Sequence, residues 1–173
     1  MDWRPLSVLP TVQVAELPAF TDDRGSLIEF WRKDELRFQS STYKPAMGYL
    51  SLTKPGQIRG PHEHAEQTDL FVFAGPGAFE LYLFSYLKHP NTGEIMPETR
   101  WNMSVGDPEA GPEGCAPLAV LVPPGIIHGY KCISEVAGLV INIPSRLYKG
   151  PQKKSDVDET RHENDPDSPF KIE

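Results

Sequence analysis

Residues 60–69, Gly-Pro-His-Glu-His-Ala-Glu-Gln-Thr-Asp, run straight into the apolar segment Leu70-Phe71-Val72-Phe73-Ala74 and then Gly75. Side chains two apart in a strand share a face, so His62 and His64 aim the same way. Asp69 opens the next apolar run after a short turn, where its carboxylate can face both imidazoles. A second segment, Pro123-Pro124-Gly125-Ile126-Ile127-His128, places a third histidine just inside another strand. Four side chains of metal-ligand type therefore fall at strand openings, and the arrangement requires a sheet that curls them toward one point.

The rest of the chain agrees with a fold made of short strands. Apolar or alternating runs lie at 26–33, 47–53, 57–59, 69–74, 78–87, 118–122, 126–132 and 136–143. Lys-Pro-Gly, Gly-Pro-Gly, His-Pro-Asn-Thr-Gly and Pro-Pro-Gly turns punctuate them. No window before residue 150 carries a helical stripe, and short strands with turn signals between them predict a sandwich or barrel. Residues 1–19 read as an edge strand or arm, 34–46 as an irregular segment with a short helical turn, and 106–116 as a turn-rich loop. One domain over 1–173 is expected, with its core at about 12–148 and a polar surface tail at 149–173 anchored by Phe170 and Ile172.

Composition narrows the function. The 173 residues are 39% hydrophobic and 24% charged, an ordinary soluble mixture, and 18 prolines with 14 glycines are scattered as turn residues. A net charge of −7 repels nucleic acid and anionic lipid, so neither is an expected partner. The N-terminus lacks a signal-peptide pattern and no apolar run has transmembrane length, so the expected location is the cytoplasm. Cys115 and Cys132 could pair, but two thiols in this length are a weak disulfide signal and free thiols are expected.

Three imidazoles and one carboxylate suit one divalent Zn, Fe, Mn or Ni, and such sites commonly keep a position open for water or substrate. Without a metal, the same side chains would line a polar pocket. His89 and His162 match neither spacing and read as structural or exposed.

His-x-His followed after four residues by an acid, with Pro-x-Gly-x-x-His, resembles the paired motifs of the cupin superfamily, although the usual acid there is Glu. This implies an all-β cupin double-stranded β-helix, a jelly-roll barrel, with metal ligands His62, His64, Asp69 and His128. A longer likeness covers about residues 12–170. Phe20-x-Asp22-x-Arg24-Gly25 with Glu29-Phe30, Ile58-Arg59-Gly60-Pro61-His62, Val122 through Tyr130, Ser134-Glu135 and Asn164-Asp165-Pro166 resemble the dTDP-4-dehydrorhamnose 3,5-epimerase family. The resemblance implies a strand-exchanging homodimer, a nucleotide-linked 4-keto-6-deoxyhexose as substrate, and Arg24 and Arg59 as holders of its diphosphate. Guanidinium is the natural bidentate partner of phosphate; a salt bridge at a strand end is the plainer role for either arginine. His62 corresponds to the family's general base.

The departures matter as much as the matches. Asp69 stands where the family has an enolate-stabilising lysine, and its catalytic tyrosine corresponds to Ile141. The aspartate that orients the base falls beyond the C-terminus, and the Gln-x-Asn that touches substrate is replaced near Met47 and Tyr49. A carboxylate cannot stabilise an enolate directly, but it can hold a cation that does. The expected function is therefore a metal-dependent isomerase or epimerase of a nucleotide-linked or phosphorylated keto-sugar. His62 is then the base only if no metal is bound, since a coordinated nitrogen has no lone pair to spare. Glu63, Glu66, Tyr130 or metal-bound hydroxide are the substitutes. An iron-dependent cupin oxygenase, or a non-catalytic sugar-binding cupin, are the alternatives.

Overall fold

The apolar runs at 69–73 and 118–122 are buried at every position, which a strand needs only if both faces of its sheet are covered. The computed structural model, which describes residues 1–32, 34 and 43–173, shows how. The strands are β1 (Arg4–Leu6), β2 (Leu9–Glu16), β3 (Ala19–Asp22), β4 (Gly25–Ile28), β5 (Tyr49–Thr53), β6 (Ile58–Glu63) and β7 (Asp69–Phe73). They continue as β8 (Ala78–Lys88), β9 (Ile95–Gly106), β10 (Leu118–Val122), β11 (Ile127–Cys132), β12 (Gly138–Pro144) and β13 (Thr160–Arg161). One six-stranded sheet runs β1-β2-β10-β7-β12-β5, a five-stranded sheet runs β13-β6-β11-β8-β9, and β3 and β4 form a separate hairpin.

Alternation decides which side chains fill the space between the sheets. Val12, Val14, Phe71, Phe73, Val120 and Val140 of the first sheet pack against Phe79, Leu81, Leu83, Tyr130 and Cys132 of the second. The intervening residues Leu70, Val72, Ala119 and Leu121 point the other way, where Trp3, Ile28, Phe30, Ile141 and Ile143 cover them. The expected jelly-roll barrel of short antiparallel strands is what forms.

Several expectations change in detail. The first residues supply more than an arm, because β1 takes the edge and β2 is paired on both sides, to β1 and β10. The strand expected at 26–33 stops at Ile28, while that at 57–59 extends through His62 to Glu63. β9 was hidden by Pro97 and by an exposed, charged first half; only Trp101, Met103 and Val105 turn toward the core. The helical turn expected within 34–46 falls largely on residues 35–42, outside the described residues. Among the described residues helix is limited to two 3-10 turns, Pro151–Lys153 and His162–Asn164, and no helix is long and apolar enough to cross a membrane. Both cysteines are free and buried.

β13 adds to the second sheet, with Thr160 opposite Glu63 and Arg161 opposite His62. Phe170 is 1% exposed and packs edge-on to Phe84 and His162, with Ile172 beside the same cluster. Glu63 accepts hydrogen bonds from Tyr86 (2.9 Å) and His162 (3.1 Å), so this segment is bolted to the outside of the barrel.

Candidate metal centre and cleft

β6 and β11 are neighbours, and His62 lies directly opposite His128 in their register. Gly60 makes their close approach feasible. Its φ is +82°, and a Cβ there would sit 2.7 Å from the His128 carbonyl oxygen and 3.1 Å from His62 Nδ1, so a larger residue would meet both strain and backbone. The Pro123-Pro124-Gly125 turn is tied to the end of β6 by the Gly125 N–H, which donates to the His64 carbonyl at 2.9 Å. Both histidine segments are thus fixed to each other before any side chain is considered.

His62, His64 and His128 each offer a ring nitrogen within 4.8 Å of the others'. Asp69, 1% exposed, enters from β7 in the other sheet, its Oδ2 3.0 Å from His64 Nε2 and 3.5 Å from His128 Nε2. All four sequence-predicted ligands therefore lie at one end of the barrel. Their tautomers follow from their outer partners. His128 Nδ1 lies 2.9 Å from the Ile126 carbonyl, and a carbonyl can only accept, so Nδ1 carries a proton and Nε2 is the nitrogen that offers a lone pair in the neutral ring. His64 Nδ1 likewise donates to the Asp158 carbonyl. Asp69 Oδ1 accepts from the amides of Gln67 and Asn142, each at 3.0 Å.

Three polar atoms of the site are left over. Asp69 Oδ2, His128 Nε2 and Asn142 Oδ1 are buried and have no hydrogen-bond partner among the described residues, although Asp69 Oδ2 lies 3.0 Å from His64 Nε2. A buried carboxylate oxygen without a donor costs several kcal/mol unless a charge compensates it. In the metal-free protein a proton on His64 Nε2, 3.0 Å away, would satisfy the carboxylate, whereas a bound cation would satisfy the carboxylate and the ring nitrogens together. The donor set fits a borderline divalent metal.

Electrostatics separates the three rings. Burial, with the neighbouring His128 and His64, drives His62 down to about 2, so it is neutral and available as a ligand. Burial also opposes protonation of His64, but the Asp69 carboxylate and the Asp158 carbonyl outweigh it and the net shift is upward. Burial disfavours the Asp69 anion, yet contact with His128 and His64 overcomes this and holds its carboxyl well below the usual range. In the metal-free state a proton on His64 thus partly neutralises Asp69, and a cation would displace it.

The cluster opens into a cleft of about 1530 Å³, lined among others by Tyr49, Arg59, Tyr130, Tyr148, Glu159 and Arg161. Arg59 is anchored by Nε donating to Thr53 Oγ1 at 3.0 Å. Arg24 is elsewhere, on the exposed β3–β4 hairpin and paired with Asp22. The substitute bases fare unevenly. Glu63 points out of the barrel to Tyr86 and His162, because its side chain alternates with those of His62 and His64. Glu66 is exposed and paired with Arg146, and the Tyr130 hydroxyl donates to Ser51 at 3.1 Å. Ile141, at the position of the family's tyrosine, faces the outer cluster; the inward residue is Asn142, which also donates to the Tyr49 hydroxyl at 2.9 Å.

Sequence reading missed Gln67, Asn142, Asp158 and Glu159. The first two had a signal, since strand parity places Asn142 inside and Gln67 sits in the His64–Asp69 turn. The others come from the tail, where no periodicity reveals packing. Asp158 accepts from the backbone N–H groups of Ala65, Glu66 and Gln67, each at 2.9 Å, and thereby holds the loop between His64 and Asp69.

No family model matches the chain. It is 30% identical over 139 residues to the probable low-salt glycan biosynthesis epimerase Agl13 of Haloferax volcanii, covering 79% of each chain. It is 28% identical over 144 residues to the spore coat polysaccharide biosynthesis protein SpsL of Bacillus subtilis, covering 82% of this chain and 83% of that one. Among solved structures, the 4-keto-6-deoxy sugar epimerase NovW of Streptomyces spheroides superposes with a TM-score of 0.68 at 23% identity, over 98% of this chain and 80% of that chain. RmlC of Legionella pneumophila, solved with dTDP-4-keto-L-rhamnose, gives 0.68 at 18% identity, over 99% and 85%. At those identities the two structures speak for the fold alone.

Proposed function

This chain belongs to the dTDP-4-dehydrorhamnose 3,5-epimerase family of cupins, and from that premise we propose that it is a metal-dependent epimerase of a nucleotide-linked keto-sugar. Membership in an enzyme family supports a sugar-nucleotide epimerase and counts against a purely sugar-binding cupin. The metal requirement rests on one observation, the buried and unpartnered pair Asp69 Oδ2 and His128 Nε2 among three convergent imidazoles.

In this reading His62, His64, Asp69 and His128 hold the metal. A bound divalent cation supplies electrophilic stabilisation to a developing enolate, the task of the lysine that Asp69 replaces. Asn142 and Gln67 orient the Asp69 carboxylate, and the carbonyls of Ile126 and Asp158 fix the His128 and His64 rings. Arg59, at the cleft wall, takes a phosphate oxygen of the substrate. Arg24 projects into solvent from its hairpin, and in a homodimer it would be positioned to serve a second copy. Support for that dimer comes from β5, an edge strand whose Leu50 and Leu52 are 67% and 64% exposed, since an uncovered apolar edge invites pairing. Without metal, His62 is the only one of the four placed to act as a free base.

The reading is tested by incubating the protein in deuterium oxide with a panel of dTDP-4-keto-6-deoxyhexoses. Deuterium incorporation beside the keto group is expected. No incorporation with any sugar, together with metal-dependent oxygen uptake on a small acid or phenol, would overturn it in favour of the oxygenase.

A further inference from the structure

We propose that Glu159, delivered by the C-terminal tail, is the general base that removes the substrate's carbon-bound proton; the inference rests on the epimerase reading above. The difficulty it answers is chemical. If His62 is committed to the metal, proton abstraction needs another group at the cleft, and His62, His64, Asp69 and His128 are all spent.

The acids near the cluster can be taken in turn. Asp69 is sealed behind Gln67 and Asn142, and Asp158 is occupied by three backbone N–H groups. Glu63 faces away, Glu66 is paired with Arg146 at the surface, Glu163 lies 3.6 Å from Arg161 Nη1, and Asp156 is exposed. Glu159 is paired as well, with Arg161, but through Oε2 alone. Its side chain is largely buried, it lines the cleft, and its Oε1 lies 3.8 Å from His62 Nε2. That spacing is too long for a hydrogen bond and leaves the oxygen beside the cluster.

Arg161 explains how a carboxylate on a tail can be aimed. Its Nε and Nη2 both reach Glu159 Oε2, at 2.8 and 2.6 Å, so both donors hold that one oxygen and leave Oε1 free of the guanidinium. Arg161 is itself in register with His62 through β13. One oxygen is thus held by the guanidinium while the other faces the histidines. A substrate that reaches the cluster comes within reach of Oε1.

The step balances without a co-reactant. Glu159 Oε1 accepts the proton from the carbon next to the ketone, the C–H electron pair becomes the new carbon–carbon double bond, and the carbonyl oxygen becomes the enolate. Protonation of that carbon on its other face by water completes the inversion, and Glu159 returns its proton to solvent.

Glu159→Gln keeps the shape and one acceptor for Arg161, so the fold should survive; Glu159→Asp withdraws the carboxylate by one methylene. Both are compared with wild type for metal content, KM, and deuterium incorporation. The expected result for Glu159→Gln is at least about a 100-fold loss of exchange rate, with KM and metal content within about twofold of wild type. Glu159→Asp should fall between. Exchange by Glu159→Gln within about threefold of wild type would overturn the proposal. So would loss of metal from that variant, which would make Glu159 a ligand or a brace. Wild-type protein that exchanges no proton of any keto-sugar would overturn the epimerase reading itself, and this inference with it.

Discussion

The wall of the barrel and its C-terminal tail contribute to the same site by different physics. β6, β7 and β11 supply the ring nitrogens and one carboxylate, held by ladder hydrogen bonds and by strand parity, so their spacing follows from backbone geometry. The tail at 151–172 supplies oxygens: the Asp158 carbonyl on His64, the Asp158 carboxylate on three backbone amides, and Glu159 beside His62. In the proposed mechanism the wall would supply the metal ligands, and the tail would orient them and add the base. The tail is bound by few elements, chiefly Phe170 in its aromatic pocket and His162 on Glu63.

That contrast can be broken from either side. Removing ligands from the wall should have the largest effect: a His64→Ala, Asp69→Ala double variant is expected to lose stoichiometric metal altogether, as read by elemental analysis of untagged protein. Full retention would show that the cluster is not the metal site. Asp158→Ala attacks the tail's hold on the wall. It leaves three N–H groups without their acceptor, at about 1 kcal/mol of stability in denaturant unfolding. By loosening the partner of His64 it should also weaken metal affinity about tenfold. Unchanged affinity would mean the wall orients its ligands alone.

Acidification tests the same joint more gently. The His64 shift is upward, so the proton that competes for its Nε2 is retained to higher pH than in an ordinary histidine. Metal binding must expel it, and affinity should fall about tenfold for each pH unit below the His64 value. Titration calorimetry in several buffers should show proton release within the same window. A flat affinity between pH 5 and 8 would place the competing proton elsewhere.

The wall was legible in the sequence because period-two geometry converts spacing into direction. His62 and His64 share a face for that reason, and the Pro-x-Gly turn fixes the depth of His128. The same parity, applied to β12, separates outward Ile141 from inward Asn142, which the family correspondence alone did not. β9 escaped because Pro97 and charged residues interrupt its alternation over an exposed half. The tail escaped for a deeper reason: its lysines, acids and prolines look solvated, and only tertiary contact shows that Asp158 and Glu159 are turned inward.

The central claim is that the metal held by the wall is needed for proton exchange. The direct test compares deuterium incorporation into a dTDP-4-keto-6-deoxyhexose by protein as purified, protein stripped by a chelator, and stripped protein reloaded with Zn, Fe, Mn or Ni. The account predicts exchange that disappears on stripping and returns with at least one metal. Undiminished exchange in folded, metal-free protein would contradict it and return the role of base to His62.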